Sequence, residues 1–217
     1  MPVKSSYNDN TMNNRFEIKH ILFDLGGVLI GLSGVNEIIE WSNNTHTEKE
    51  LWNRWVSSPA VRGFESGKID VNEFIKQVCQ EFEIFIGPEQ FLNAFIKWPQ
   101  GPYSDVKPFL KQLKNHIPIS CLSNTNYLHW ERVRDEMKLA TYFKHAFLSY
   151  EIGMFKPDFE IFDYVASQLS HSPEEILFFD DNCLNVENAR KVGFKAEKVV
   201  GVTEIKQQLD FYQIPYY

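Results

Sequence analysis

The chain has 217 residues, 22 of them basic and 29 acidic, for a formal charge of −7 at neutral pH. That length suits one domain with a large insertion, or two small domains. With 43% hydrophobic residues and 18 Phe, it has the material for a sizeable core, which excludes wholesale disorder. The acidic balance, with no Lys/Arg stripe, argues against a nucleic-acid partner or an anionic-membrane surface. It leaves open a local cationic pocket for a small phosphate.

Cys79, Cys121 and Cys183 are odd in number and far apart, with no C-x-x-C spacing, so neither a structural zinc site nor a disulfide framework is expected. Cys121 falls inside an apolar run and reads as a small hydrophobe. The first 15 residues, MPVKSSYNDNTMNNR, hold no apolar run. They are not a signal peptide, and residues 1–16 read as a disordered polar tail. No stretch of 18 apolar residues predicts a membrane span, so the expected location is the cytoplasm.

In chain order, strand-length apolar runs occur at 20–24 (HILFD), 117–123 (IPISCLS), 146–149 (AFLS), 176–181 (ILFFDD) and 197–202 (EKVVGV). Runs apolar on both faces, alternating with helical patterns, predict a parallel sheet covered on both sides. Phe162, Val165, Ala166 and Leu169 make one helical face, and Ser172-Pro173-Glu174-Glu175 reads as a capping box before the fourth run. Between the first two runs only helical patterns appear. Thr47 and Glu50 form a capping box ahead of Leu51, Trp52 and Trp55. Val71, Phe74, Ile75, Val78, Cys79 and Phe82 share a stripe, and Phe91, Leu92 and Phe95 begin a helix after Gly87-Pro88. The expected fold is therefore α/β: a Rossmann-like three-layer core over 17–31 and 104–217, with a helical cap at 32–103 inserted after the first strand.

In open parallel sheets ligands bind beyond the carboxyl ends of the strands. Those ends carry Asp24, then Ser123-Asn124-Thr125-Asn126, then Asp180-Asp181-Asn182, with Lys156-Pro157 between them. Singly, these are ordinary turn, cap and helix-entry residues, and Asp180-Asp181 could cap a helix at about 184–192. Together, at strand ends, they place three carboxylates, a hydroxyl, an amide and an ammonium at one sheet edge. Mutually repelling carboxylates suit a hard, oxygen-preferring divalent cation, and Mg²⁺ fits. Ser123, Asn124 and Lys156 could surround phosphoryl oxygens, leaving Asp24 to attack phosphorus as a carboxylate nucleophile.

The order DLGGVL, LSNTN, GMFKP and FFDDN resembles the four motifs of the haloacid dehalogenase-like hydrolase superfamily, from about residue 17 onward. In wording it is similar to the α-glucose-1-phosphate phosphatases and to the N-terminal phosphatase domain of soluble epoxide hydrolases. The resemblance implies that Asp24 is the nucleophile, that Ser123 and Asn124 contact phosphate, and that Lys156 neutralises nucleophile and phosphate. It also implies that Asp181 ligates magnesium, that Asp180 does so directly or one step removed, and that the Gly26 carbonyl is a further ligand. The expected function is Mg²⁺-dependent hydrolysis of a small phosphorylated metabolite, with sugar phosphates the class implied.

One position departs from the superfamily's usual D-x-D, whose second Asp protonates the leaving group. Here it is Gly26, a residue the sugar-phosphatase branch also tolerates. Without that acid, expulsion must lean on water, on a group from the cap, or on the leaving group's own acidity. Two alternatives stand beside the phosphatase: a metal-free 2-haloacid dehalogenase using Asp24 on carbon, which the Asp180-Asp181 pair disfavours, and a catalytically weak phospholigand-binding protein. His129, close after the Ser-Asn motif, reads as a helix-surface residue or as one facing the site. Trp55, Arg62, Phe64 and Glu65, between two cap helices, either face the core and select substrate or pack the cap.

Overall fold

The computed structural model describes residues 17–42 and 46–217; the expected tail at 1–16 lies outside the described residues. A five-stranded sheet forms the centre, with β1 (His20–Phe23), β4 (Ile119–Ser123), β5 (Ala146–Leu148), β6 (Ile176–Asp180) and β7 (Lys195–Lys198) in the order β5-β4-β1-β6-β7. All pairings are parallel. The α/β fold read from the apolar runs is the fold observed.

Both sheet faces are buried, and the strand residues alternate between them. Ile21, Phe23, Ile119, Cys121, Leu177 and Phe179 pack on one side with α6 (Val106–Leu113) and α11 (Gly201–Phe211). Leu22, Leu122, Ile176 and Phe178 pack on the other with α9 (Phe159–Leu169) and α10 (Cys183–Val192). This period-2 split is why the runs look uniformly apolar in sequence. Ser172 and Glu175 form the expected capping box, on a single 3₁₀ turn.

The fifth strand departs from expectation. It is Lys195–Lys198, and α11 already begins at Gly201. Val199 and Val202 are buried in the cluster that holds α11, so the apolar run at 199–202 belongs to strand exit and helix start.

The inserted segment holds α1 (Gly34–Trp41), α2 (Glu48–Ser57), α3 (Pro59–Glu65), α4 (Val71–Glu81) and α5 (Pro88–Phe95). Thr47 caps α2 through the expected box with Glu50, and Asp70 caps α4 at the N–H groups of Asn72 and Glu73. These helices have their own core, centred on Trp55, Phe64, Phe74, Phe82, Phe91 and Phe95. The purely helical reading of 32–103 needs one correction. The two crossings into the insertion form an antiparallel ribbon, β2 (Ile30–Leu32) with β3 (Pro99–Pro102). Their sequences, IGL and PQGP, carry Gly and Pro and no apolar alternation, so no strand signal is visible. Among the described residues no helix is long and apolar enough to cross a membrane.

Candidate active site

β1 lies between β4 and β6, and the chain leaves it first toward β4 and β5, later toward β6 and β7. The strand order therefore reverses at β1, which opens a crevice at its carboxyl end. Asp24 follows β1 directly; its N–H donates to the Phe179 carbonyl of β6 at 2.8 Å, and the residue is 8% exposed. Asp180 ends β6 and Ser123 ends β4.

Carboxylate oxygens of Asp24, Asp180 and Asp181 lie within 4.8 Å of one another. Lys156 stands among them. It enters from the loop after α8 (Ser149–Ile152), and its Nζ donates to Asp180 Oδ2 at 2.6 Å and to the Leu122 carbonyl at 3.2 Å, with Asp24 Oδ1 at 3.0 Å. Burial disfavours the ammonium, but the fields of Asp180 and Asp24 outweigh it and hold Lys156 above the ordinary lysine range. Burial raises the Asp24 carboxyl; Lys156 opposes this, while Asp180 and Asp181 add to it. Asp181 is likewise raised by burial and then by Asp180. One ammonium thus faces three carboxylates.

The two neighbouring aspartates are placed differently. Asp180 is fully buried, and both its oxygens are engaged, by Lys156, the Asn182 N–H and both contacts from Asn185 Nδ2. Asp181 instead lies over Gly27, where a Cβ would come within 2.2 Å of its Oδ2. Gly27 also sits at φ +73°, a backbone that glycine adopts without penalty. The glycine thus leaves room for Asp181 beside Asp24. An all-oxygen donor set of this charge fits a hard cation such as Mg²⁺. Helix α10 is capped by Asn182, which accepts from Leu184 N–H at 2.9 Å, so the aspartate pair is not spent as its cap.

The Asn124 side chain seats the lysine: Oδ1 accepts the Lys156 N–H and Nδ2 donates to the Lys156 carbonyl, both at 2.9 Å. The side chain fixes the lysine loop. Asn126 caps α7 (Tyr127–Glu131) through the His129 N–H. His129 is half-buried, with both ring nitrogens bonded. Asn126 Nδ2 lies 3.2 Å from its Nδ1, and its Nε2 lies 2.7 Å from the Phe95 carbonyl of the insertion. Burial, only partly opposed by the Phe95 carbonyl, pushes the ring down to about 4, so it is neutral at physiological pH.

The segment between α2 and α4 divides its tasks. Trp55 and Phe64 are buried in the insertion's core, and Arg62 pairs with Asp158, which precedes α9. The charges of Asp24 and Lys156 reach the Glu65 carboxyl. The sequence reading missed Ser149, which sits just beyond β5. Its hydroxyl accepts from the Thr125 N–H at 2.9 Å and hydrogen-bonds the Glu65 carbonyl. It also missed Asn185, five residues beyond Asp180. The signal for Ser149 was a hydroxyl at a strand end; for Asn185 it was an amide in the first turn of α10.

A D-ribitol-5-phosphate phosphatase of Bacteroides thetaiotaomicron is 25% identical over 203 residues, spanning 88% of this chain and 97% of its own. An (S)-2-haloacid dehalogenase of Pseudomonas fluorescens is 24% identical over 191 residues, 82% of each chain. Among solved structures, a haloacid dehalogenase family enzyme of B. thetaiotaomicron in complex with magnesium and inorganic phosphate superposes with a TM-score of 0.68 at 26% identity, covering 83% of this chain and 93% of that one. Residues 18–193 match the family profile of the haloacid dehalogenase-like hydrolases, and with the carboxylate cluster at the sheet's switch point they make this chain a member of that family.

Proposed function

We propose that the chain is a Mg²⁺-dependent phosphomonoester hydrolase for a small phosphorylated metabolite, working through an aspartyl-phosphate on Asp24. The observation that carries this reading is the triad of carboxylates within 4.8 Å around one buried ammonium. Asp24, Asp181 and the Gly26 carbonyl would hold the cation, with Asp180 fixing Lys156 beside them. Magnesium would supply positive charge against the transferring phosphoryl oxygens. The magnesium- and phosphate-bound relative and the ribitol-phosphate phosphatase support the same direction; sugar and polyol phosphates are the substrate class we favour.

In this mechanism an Asp24 oxygen attacks phosphorus while the ester P–O bond breaks and its electron pair leaves on the substrate oxygen. Lys156 holds Asp24 Oδ1 and faces the incoming negative charge. Ser123, at the end of β4, donates to a phosphoryl oxygen. Water then attacks the phosphorus of the acyl phosphate, releasing phosphate and restoring Asp24.

The dehalogenase-named relative gives a second reading, in which Asp24 attacks carbon without metal. Asp180 and Asp181 weigh against it, because extra carboxylates near Asp24 repel an anionic haloacid. The test is turnover of 4-nitrophenyl phosphate with Mg²⁺, its loss in EDTA, and the Asp24→Asn variant. The variant should fold, with unchanged circular dichroism, and lose at least a thousandfold in kcat, since an amide is a poor nucleophile. Activity within tenfold of wild type would sink the aspartyl-phosphate. Turnover of 2-chloropropionate without metal would favour the second reading.

A further inference from the structure

The general acid expected two residues after the nucleophile is missing in a specific way. A Cβ at Gly26 would stand 2.8 Å from Leu32 Cδ1, so a side chain there would have to displace Leu32 of the β2–β3 ribbon. Other candidates are spent. Both ring nitrogens of His129 are bonded and the ring is neutral. Lys156 gives its three donors to Asp180, Asp24 and Leu122.

Glu65 ends α3 and is held to the core on both sides. Its carbonyl is hydrogen-bonded by Ser149, whose hydroxyl also accepts from Thr125, two residues past Ser123. Just after it, Gly67 at φ +68° runs so close to α8 that a Cβ would come 2.5 Å from the Tyr150 carbonyl. Just before it, Phe64 stacks on Phe74 at 4.5 Å and meets Tyr127 of the core at 5.9 Å. One turn earlier, Arg62 is paired to Asp158. These anchors hold the end of α3 against α8 and the residues that follow β4, and there the charges of Asp24 and Lys156 reach the Glu65 carboxyl.

We infer that Glu65 is a further catalytic residue, whose protonated carboxyl delivers a proton to the substrate oxygen as the P–O bond breaks. The inference rests on the phosphatase reading of the same site. The proton moves from Glu65 to the departing oxygen, which leaves as an alcohol, and Glu65 is left as a carboxylate. Once the alcohol has left, a proton from solvent resets the acid. Its environment keeps it protonated for this task. Burial pushes the carboxyl up to about 8, the Asp24 charge adds to this, and Lys156 opposes it. The other charged or titratable groups around α3 are engaged elsewhere: Arg62 with Asp158, Glu81 with Ser58, and Tyr150 with Glu151.

The experiment compares wild type and Glu65→Gln, with Mg²⁺, on phosphomonoesters graded by leaving-group acidity, from glycerol 3-phosphate to 4-nitrophenyl phosphate. General acid catalysis contributes about 10²–10⁴-fold. The variant should lose that factor on glycerol 3-phosphate, in kcat rather than KM, and less than about tenfold on the nitrophenyl ester, whose leaving group needs no proton. Wild-type turnover of the alkyl ester should fall at alkaline pH as the acid is lost, and that limb should vanish in the variant. An equal loss across the series, or none, overturns the inference and leaves Glu65 as an anchor only. Should Glu65→Gln fail to fold by circular dichroism, wild type alone decides, since a basic limb seen with alkyl but not nitrophenyl ester supports the acid and an identical limb with both refutes it. If wild type turns over no phosphomonoester, the phosphatase reading itself has failed and this inference falls with it.

Discussion

Replacing Lys156 by Met keeps an unbranched apolar stem and removes the charge that the three carboxylates share. At an effective dielectric constant of about 20, unit charges at the observed 2.6 and 3.0 Å attract by about 6 kcal/mol each. Much of that gross attraction is offset by the cost of dehydrating an ammonium only 2% exposed. The net loss on removing one partner of such a buried pair is about 3–5 kcal/mol, because the partners stay behind uncompensated. For a chain of this size that corresponds to a fall of about 6–20 °C in Tm. Urea unfolding followed by circular dichroism, in EDTA at pH 8, measures it. Without the ammonium, which opposes the rise in both, the Asp24 and Asp181 carboxyls rise further above their unfolded values. The native state then binds more protons than the unfolded one, so the deficit should grow from pH 5 to pH 8. A cation held by the same oxygens substitutes for the lost charge, and Mg²⁺ at about 100 times its Kd returns about 2.7 kcal/mol. A loss under about 1 kcal/mol in EDTA would refute the assignment of Lys156 as the cluster's counter-charge. So would a deficit that Mg²⁺ leaves unchanged.

Asp181→Ala removes one anionic oxygen donor, and hard cations respond to donor charge; the Mg²⁺ concentration for half-maximal activity should rise at least tenfold, read by titration with the nitrophenyl ester. His20 is buried against Ser120 Oγ at 2.9 Å, and burial, aided by His171, Lys144 and His145, lowers it to about 4. The unfolded state then binds the extra proton first, so stability present above pH 6.5 is lost as pH falls toward 4, by about 3 kcal/mol in all. In His20→Asn that part of the acid slope should disappear in urea titrations at stepped pH.

The core was legible because its signals are local. β1, β4 and β6 are buried on both faces, so each reads as a short apolar run bounded by polar residues, and each run ends on a residue that the topology carries to one edge. The ribbon was not legible, because β2 and β3 are held by backbone pairing and by the Leu29–Tyr103 contact, where the Tyr103 N–H donates to the Leu29 carbonyl at 3.1 Å, rather than by side-chain alternation. The last strand was misplaced for a related reason. Apolarity marks burial, and Val199 and Val202 are buried by a helix start, while the real strand carries Lys195, Glu197 and Lys198 at an edge.

In the site, the same division decides what could be read. Asp24, Ser123, Asp180 and Asp181 are fixed by their strands, so sequence position already gives their neighbours. Lys156 is delivered by a loop, and what seats it is Asn124, a residue whose motif position suggested a ligand contact. The fold uses that amide to bond both the N–H and the carbonyl of Lys156, which leaves the lysine head rigid between Asp24 and Asp180. Glu65 lies further from legibility still. Its place depends on Ser149 just beyond β5, on the Arg62–Asp158 pair and on the close approach of Gly67 to Tyr150. None of these leaves a periodic trace. The ribbon's Leu32 lies against Gly26, and the insertion that the ribbon bounds is the one that brings Glu65 to Ser149.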